Sequence, residues 1–222
     1  MTPRNLRFAI LAVDAAVVTI MDRVPHVLLI PVHRPSCVGY ALPGGLIRPD
    51  ETAEQAVARH LLEKCNLKDL YCEQLATFSA VDRDPSGRVV SVAYLVLMPG
   101  SRARQHRLPD GLSWRAAAKV GKLAYDHNEV ITAALERLRT KLQSTTIARH
   151  LLAPDFTLGE LQSVYEGALG RALDKRNFRK KLIASGVVRA TGKIQRSTPG
   201  RPSGLYRFAG TKVDVIGILS CA

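Results

Sequence analysis

The chain lacks the features that mark disulfide-rich, zinc-binding and membrane-spanning proteins. Its 222 residues include four cysteines, with no Cys-x-x-Cys pair and no histidine cluster at the spacing of a zinc site. Such cysteines are typical of a reducing compartment, so we expect a cytoplasmic protein. No run reaches the ~20 apolar residues that a membrane span requires. The apolar segment 8–20 follows two arginines, as in a signal peptide, but Asp14 and Asp22 interrupt this region, and we predict a strand there.

Acidic residues are also scarce. The 32 lysines and arginines outnumber the 19 aspartates and glutamates, which gives a formal net charge of +13. This excess suggests a polyanionic partner, nucleic acid before membrane, with a basic but inert surface as the alternative. The net charge is +5 over residues 1–147 and +8 over the shorter segment 148–222. In a chain long enough for two small domains, this shift predicts one domain over 1–147 and another over 148–222.

The most informative segment is a motif from which acids are missing. Residues 45–67 follow the frame of a Nudix box, which has fixed spacings between glycine, glutamate, arginine and apolar positions. The frame is kept at six positions: Gly45, Glu51, Arg59, Leu61, Glu63 and Leu67. His60 and Lys64 stand where the frame has glutamates, and Asn66 stands where it has glycine. The segment resembles the motif of a Nudix hydrolase whose principal metal-binding acids have been replaced.

These replacements remove the chemistry of a hydrolase. Positions 60 and 64 are four residues apart, so both side chains lie on one helix face and can reach the same ion. Mg²⁺ prefers oxygen ligands, and imidazole is a poor ligand for it. An ammonium group ~4 Å from a divalent cation costs roughly 8 kcal/mol at an effective dielectric constant of about 20. The sequence therefore predicts no metal site, no cofactor and no catalytic residue, and a pocket that senses a nucleotide.

Strand and helix patterns surround the box. The predicted strands, from alternating or β-branched apolar runs, are 8–20, 27–32, 74–81 and 88–98. A turn at 84–87 joins the last two. Thr52 and Gln55 can form a capping box, which predicts a helix over 52–64. A second helix is expected over 126–143, and its apolar stripe is either core or a dimer seam. This stripe consists of Ile131, Leu135, Leu138 and Leu142.

The C-terminal segment has the order helix, turn, helix, hairpin. Thr157 and Glu160 form another capping box at the start of the first helix, and the second helix is predicted over 173–184. The predicted helix ends are glycines: Gly167 and Gly170 for the first helix and Gly186 for the second. The apolar side of the second helix is predicted to be Leu173, Phe178, Leu182 and Ile183. Short strands over 187–189 and 205–208 then flank a Gly/Pro/Arg-rich loop, which is the pattern of a winged helix.

The second of these helices has the composition of a DNA-reading helix. Such a helix presents long donors to base edges and cations to phosphates, and we predict that Arg176 and Asn177 read bases. Residues 171–207 hold 11 basic residues and one acid. The alternative, a solvated helix face, is disfavoured because balancing glutamates are absent. The predicted DNA-binding residues are Lys175, Arg176, Asn177, Arg179, Lys180 and Lys181 on the helix and Lys193, Arg196 and Arg201 in the wing.

Two further segments, 82–94 and 123–131, resemble those of ADP-ribose-type Nudix proteins, and the tail over 156–208 extends the likeness. The whole chain is similar to the Nudix-related transcriptional regulators, the NrtR family. The resemblance implies an α+β fold, with a Nudix α/β/α sandwich domain followed by a winged helix-turn-helix domain. It also implies a homodimer on a palindromic operator in double-stranded DNA, an ADP-ribose-like effector, and repression of NAD biosynthesis or salvage genes. Motif position gives the expected effector-binding residues: Gly44, Gly45, Arg59, Glu63 and Arg83.

Three functions fit these patterns. The first is a DNA-binding repressor controlled by a nucleotide, and the family likeness favours release of DNA when the effector binds. The second is a pyrophosphohydrolase that works through Glu51, Glu63 and a further acid, with the tail binding RNA or DNA. The third is a nucleotide sensor that acts on a protein partner, which the dense run of cations and the helix-turn-helix order disfavour. We predict the first function, without hydrolase activity.

Overall fold

Among the residues that the structure describes, the larger sheet has seven strands. The computed structural model describes residues 8–34, 37–195 and 202–210. The strands of this sheet are β1 (Ile10–Met21), β2 (Val24–Arg34), β3 (Cys37–Ala41), β4 (Gly44–Leu46), β5 (Tyr71–Phe78), β6 (Val89–Leu97) and β7 (Ser113–Ala116). Their order is β3-β2-β1-β6-β5, with β4 antiparallel to β1 and β7 paired with β2. The same part of the chain contains helices α1 (Ala53–Cys65), α2 (Gly100–Gln105) and α3 (His127–Ser144).

Strand β1 forms the centre of this sheet. Every residue from 12 to 20 is buried, including the polar residues Asp14 and Thr19. Continuous burial, in place of alternation, means that both faces of the strand are covered. A turn at Asp22 and Arg23 connects β1 to β2, and both residues have positive φ, +50° and +62°. This is the backbone geometry of a tight two-residue hairpin turn.

The predicted strands and helices of the N-terminal part are all found, with shifted ends. The largest shift is in β5, which was expected over 74–81 and lies at Tyr71–Phe78. Beyond Phe78 the carbonyl oxygens of Ser79 and Ala80 accept hydrogen bonds from the Arg88 guanidinium, at 2.8 and 3.0 Å. The sequence patterns missed the short elements β3, β4, α2 and β7, because three to six residues are too few to display a period.

Helix α1 has a cap at each end. The predicted capping box is present: the Gln55 amide N–H donates to Thr52 Oγ1 (3.3 Å) and the Thr52 amide N–H donates to Gln55 Oε1 (2.8 Å). At the other end Asn66 adopts the left-handed conformation, with φ +53° and ψ +37°. Asparagine is among the few residues that adopt this conformation readily. Asn66 therefore replaces the glycine of the Nudix frame without a change of backbone shape.

The apolar stripe of α3 is mainly core. Ile131, Leu138 and Leu142 are buried within a single chain, and Leu135 is half-buried. Of the two interpretations of this stripe, the structure favours the core. Within the described ranges, no helix is long and apolar enough to cross a membrane.

The C-terminal elements have the predicted helix-turn-helix and hairpin order. They are β8 (Phe156–Thr157), α4 (Leu158–Leu169), α5 (Lys175–Ala184), β9 (Val188–Gln195) and β10 (Ser203–Phe208). The three strands form an antiparallel sheet in the order β8-β10-β9. The predicted Thr157–Glu160 capping box is present, and Gly170 ends α4 in the left-handed conformation. At the end of α5, Gly186 also has a positive φ, of +68°, as expected for a glycine that follows a helix.

Three predictions about α4 and α5 were wrong. Gly167 does not end α4 but lies inside it, where a Cβ atom would come within 2.8 Å of the Ile20 side chain and the Arg23 backbone. The glycine is needed for this close approach. Ile183 is 55% exposed, because a residue 100° beyond the buried Leu182 turns away from the core. Leu173 precedes α5, which begins after the capping residue Asp174.

The described chain forms two compact units. One comprises the described parts of 1–18, 27–96 and 107–134, and the other comprises those of 19–26, 97–106 and 135–222. The tip of the β1–β2 hairpin therefore belongs to the same unit as α4, α5 and the small sheet. The domain boundary between residues 147 and 148 stays a prediction.

Candidate functional site

A pocket lined by both apolar and charged side chains lies where the Nudix-box loop meets strands β1 and β2. Its volume is about 110 Å³, which accommodates a phosphate-sized group but is below the range typical of whole-ligand pockets. Asp14, Lys64, Tyr125 and His127 contribute to its lining. The five predicted effector-binding residues separate into two groups here. Gly44, Gly45 and Arg83 line the pocket, whereas Arg59 and Glu63 lie outside this lining.

The two replaced glutamate positions bind the box loop directly. Lys64 Nζ donates a hydrogen bond to the Gly44 carbonyl oxygen, and His60 Nε2 lies 3.0 Å from the Leu46 carbonyl oxygen. A Cβ atom on Gly45 would lie 2.5 Å from His60 Cε1, so glycine is required for the imidazole to pack there. His60 and Lys64, which stand at the positions of the frame's metal-binding acids, thus hold the loop by direct contacts with its carbonyl oxygens.

The charge of the pocket follows from this packing. Burial lowers the pKa of His60, and the nearby cations Arg59 and Lys64 lower it further, against the contribution of the Leu46 carbonyl. The imidazole is therefore neutral at pH 7, and its Nε2–H donates to that carbonyl. Relative to a frame with two glutamates, the pair His60 and Lys64 makes the site three charge units more positive. Such a site attracts an anionic group.

The two retained carboxylates of the box are held in ion pairs. Arg59 Nε donates to Glu51 Oε2 at 2.8 Å, and its Nη1 donates to Glu63 Oε2 at 3.2 Å. Arg59 Nη2 also donates to the Leu46 carbonyl oxygen at 3.1 Å. Hydrogen bonds from Arg59 lower the pKa of Glu51 to about 2. Arg59 therefore pairs with both glutamates and ties the box loop to α1.

A buried ionic network contributes Asp14 and Arg83 to the wall of the pocket. Arg83, whose side chain is 3% exposed, donates from Nη2 to Asp14 Oδ2 at 3.0 Å. It also donates to both carboxylate oxygens of Asp126, at 2.9 and 2.7 Å. The contact with Asp126 brings together segments 82–94 and 123–131, the two segments that carried the ADP-ribose-type resemblance.

Asp14 is the centre of this network, and the sequence patterns did not identify it as functional. His127 Nδ1 accepts a hydrogen bond from the Leu42 amide N–H at 2.8 Å, so the imidazole proton is on Nε2, 3.2 Å from Asp14 Oδ1. Ser91 Oγ donates to Asp14 Oδ2 at 2.6 Å. Burial raises the pKa of Asp14, but His127, Ser91 and Arg83 together hold it at about 2. The available signal was an acid inside an otherwise apolar strand.

Asp14→Asn is expected to lower stability at neutral pH and to remove part of the acid sensitivity. In the wild type a folded-state pKa of about 2, against the ordinary value of 3.8, contributes about 2 kcal/mol above pH 4. This contribution is lost as the pH falls towards 2, because the unfolded chain takes up the proton first. The asparagine variant has no such carboxylate and leaves Arg83 with one partner fewer, at a cost of about 3 kcal/mol at pH 7.

Urea unfolding between pH 2 and pH 7 measures both effects. Asp22→Asn is the matched control, since Asp22 is 82% exposed and pairs with the exposed Arg104. Equal loss of stability on acidification in the Asp14 variant and the wild type would contradict the prediction.

Helix α5 presents a cationic surface. Phe178 and Leu182 are buried, which fixes the rotation of the helix and turns Arg176, Asn177 and Lys180 towards solvent. Lys175 and Lys181 are also exposed, and Arg179 is half-buried. Asp174 Oδ1 accepts a hydrogen bond from the Asn177 amide N–H at 2.8 Å, which fixes the first turn of the helix. The Asn177 side-chain amide is left to face outwards. Arg176, Asn177 and Lys180, the predicted contacts turned furthest from the buried side, therefore lie together on one helical surface.

The wing cations are partly paired within the protein. Lys193 Nζ lies 3.3 Å from Asp155 Oδ2, and Arg207 on β10 pairs with Asp155 Oδ1. Hydrogen bonds from Arg207, followed by those from Lys193, lower the pKa of Asp155. Arg196 and Arg201, the other predicted wing contacts, lie outside the described residues. The exposed Arg207 is a further wing cation that was not predicted as a DNA contact.

Comparison with known proteins matches both parts of the chain. Residues 11–134 match the NUDIX domain family, and residues 148–208 match the NrtR DNA-binding winged helix domain. The "ADPR responsive transcriptional repressor NtrR" of Acinetobacter baylyi is 35% identical over 207 residues, which are 90% of this chain and 82% of that protein. The chain belongs to the NrtR family. The predicted family and the predicted fold, a Nudix domain followed by a winged helix-turn-helix domain, are confirmed.

Solved NrtR structures resemble the chain closely. Shewanella oneidensis NrtR complexed with a 27mer DNA is 35% identical, with a TM-score of 0.78, and the match covers 89% of this chain and 93% of that one. The NUDIX domain of the same NrtR complexed with ADP ribose is 33% identical, with a TM-score of 0.52, and the match covers 62% of this chain and 94% of that one. The Shewanella oneidensis NrtR thus binds DNA, and its NUDIX domain binds ADP ribose.

Proposed function

We propose that this NrtR-family protein is a sequence-specific DNA-binding transcriptional repressor controlled by an ADP-ribose-like nucleotide. The observation that carries the proposal is helix α5, the second helix of a winged helix-turn-helix, which exposes Arg176, Asn177 and Lys180 together. Arginine and asparagine are the side chains best suited to bind guanine and adenine edges in the major groove, and lysine binds phosphates. The repressor activity of the Acinetobacter baylyi relative and the DNA complex of the Shewanella oneidensis relative support it.

The Nudix pocket, in this proposal, binds the nucleotide and does not cleave it. Lys64 donates a hydrogen bond to the Gly44 carbonyl oxygen in the box loop, and both retained acids, Glu51 and Glu63, are paired with Arg59. A neutral imidazole and an ammonium group favour a diphosphate and disfavour a divalent cation. Of the predicted effector contacts, we assign Gly44, Gly45 and Arg83 to the pocket itself and add Lys64. Arg59 and Glu63 act indirectly, by shaping the loop.

The assembly and the target genes follow from the family. We propose a cytoplasmic homodimer that places two winged helices on a palindromic operator, with half-sites about one helical turn, or a multiple of it, apart. The proposed targets are genes of NAD biosynthesis or salvage, since ADP-ribose is chemically a fragment of NAD. The effector changes DNA affinity only through unequal affinity for the DNA-competent and DNA-incompetent states.

A titration of ADP-ribose into the protein–promoter complex tests the proposal. In a gel-shift series we expect preferential binding to a palindromic promoter site, strongly weakened by salt, and release of the site as ADP-ribose is added. A shuffled sequence of the same length is the control DNA. Absence of any sequence preference, even at low salt, would sink the proposal.

A further inference from the structure

Two side chains of α4 hold the residue that leads into the DNA-reading helix. Glu166 Oε1 accepts a hydrogen bond from the Leu173 amide N–H at 3.0 Å, and Gln162 Nε2 donates to the Leu173 carbonyl oxygen at 3.0 Å. Gln162 Nε2 also donates to Glu166 Oε1 at 2.9 Å, so the two side chains support each other. Leu173 precedes Asp174, the N-cap of α5. Both peptide groups at the entrance of α5 are therefore fixed by α4.

The second oxygen of Glu166 depends on the β1–β2 hairpin. Glu166 Oε2 is buried, and within the described part of the chain it accepts no hydrogen bond of normal geometry. Its compensating charge is the Arg23 guanidinium, whose Nε lies 3.2 Å away. The Glu166 side chain is 7% exposed and that of Arg23 is 66% exposed. Because Gly167 has no side chain, the backbone of Arg23 packs directly against α4.

The same hairpin also reaches the nucleotide pocket. Ala12 and Asp14 on β1, and Ile30 and Val32 on β2, line that pocket, and Arg23 is at the turn between the two strands. Asp14 is bound to the buried network of Arg83 and His127. One continuous hairpin therefore has a pocket-lining segment and a tip that contacts the helix preceding α5.

We propose that Arg23 and Glu166 are positioning residues that make the placement of the DNA-reading helix depend on the β1–β2 hairpin, and through it on the nucleotide pocket. This inference rests on the proposed function. A shift of the hairpin moves the guanidinium relative to a buried carboxylate, and that carboxylate also holds the entrance of α5. A buried charge tolerates loss of its partner poorly, so α5 must adjust. The coupling is reciprocal: DNA binding changes the affinity for the nucleotide by the same factor.

Four variants of the full chain separate this role from folding. Glu166→Ala removes the acceptor for the Leu173 amide, whereas Glu166→Gln keeps an amide oxygen as acceptor and removes the charge. Arg23→Ala removes the opposite charge. Arg104→Ala is the matched control, because Arg104 pairs with Asp22 on the same turn and both side chains are exposed. Thermal unfolding establishes that each variant is folded, and Glu166→Gln and Arg23→Ala carry the test if Glu166→Ala does not fold.

Fluorescence anisotropy with operator and shuffled DNA, with and without saturating ADP-ribose, gives the readout. For Glu166→Ala we expect about a tenfold loss of operator affinity with unchanged affinity for shuffled DNA, since the cations of α5 remain. For Glu166→Gln, which removes the buried charge itself, we expect operator affinity within about threefold of wild type. For Arg23→Ala, which leaves the buried carboxylate without its partner, we expect a loss of operator affinity of up to about tenfold. In both variants the ADP-ribose effect is expected to fall towards onefold. Arg104→Ala is expected to match the wild type in both.

The outcomes distinguish the inference from the proposed function. A wild-type protein without operator preference refutes the proposed function. If the wild type prefers the operator and responds to ADP-ribose, full responses in both Glu166→Gln and Arg23→Ala refute the inference alone. An equal loss of response in Arg104→Ala also refutes it, because the effect would then belong to the turn and not to the Arg23–Glu166 pair. A wild type that binds the operator without responding to ADP-ribose refutes the inference and leaves the DNA-binding role intact.

Discussion

Substitution of Arg176 or Asn177 by alanine is expected to abolish most of the preference for the operator. A bidentate contact to a base edge contributes about 1–3 kcal/mol, so each change weakens operator binding by roughly 10- to 100-fold. Both side chains are exposed on the surface of α5 opposite the buried Phe178 and Leu182. Neither has an ion pair that would tie it to the protein among the described contacts. Binding to shuffled DNA is expected to change far less, at least for the uncharged Asn177.

Lys180→Ala provides the matched comparison on the same helical surface. A phosphate contact carries no sequence information, so this variant weakens binding to all sequences alike and lowers the slope of log affinity against log salt by about 1. Competition anisotropy at three salt concentrations measures both quantities. The assignment of base-reading roles fails if Arg176→Ala and Asn177→Ala reduce operator and shuffled binding by the same factor.

Restoration of both glutamates, in the double variant His60→Glu and Lys64→Glu, is expected to create a divalent-cation site. The change makes the site three charge units more negative at pH 7, because it adds two carboxylates and removes the lysine cation, whereas the imidazole it replaces is neutral. It also removes the Lys64 hydrogen bond to the Gly44 carbonyl oxygen and the His60 contact with the Leu46 carbonyl oxygen, which still accepts a hydrogen bond from Arg59. Carboxylate and carbonyl oxygens are the ligands that Mg²⁺ and Mn²⁺ prefer.

The double variant is expected to bind Mn²⁺ in calorimetry and to hydrolyse ADP-ribose at a rate on the order of 1 s⁻¹, an ordinary enzymatic value. The wild type is expected to bind ADP-ribose without turnover in either metal. Asn66→Gly is the control, since it restores the third departure from the Nudix frame without a change of charge, and it is expected to gain no activity. Turnover of ADP-ribose by the wild type at ordinary rates would show that Lys64 does not prevent catalysis and would restore the hydrolase hypothesis.

Short-range features of the fold were predictable from the sequence. Both capping boxes join residues three apart, and the ion pairs of Arg59 join residues eight and four apart. Spacings of this size are set by helix geometry and by a short loop, so a sequence pattern specifies them directly. The frame of the Nudix box is such a pattern, and residues 11–134, which contain it, match the NUDIX domain family.

The buried network was not predictable in the same way. Asp14 and Arg83 are 69 residues apart in the sequence, and Arg83 and Asp126 are 43 residues apart. Contacts between such distant residues depend on the order of strands in the sheet, which no local spacing encodes. The errors at Gly167 and Ile183 have a similar origin. The sequence predicts that Gly167 ends α4, whereas the glycine is needed for the close approach of a hairpin distant in the chain. The sequence also predicts that the apolar face of α5 extends to Ile183, whereas only Phe178 and Leu182 are buried within the helix.

The carboxylate of Asp155 affects how strongly the contact between the wing and DNA depends on the electrolyte concentration. It already pairs with both Lys193 and Arg207 and offsets one of their two positive charges before any nucleic acid is present. A backbone phosphate that reaches these two cations exchanges one anion for another, and fewer condensed counterions are freed than their number implies. A count of arginines and lysines on β9 and β10 therefore overstates how steeply added salt loosens the wing from the duplex.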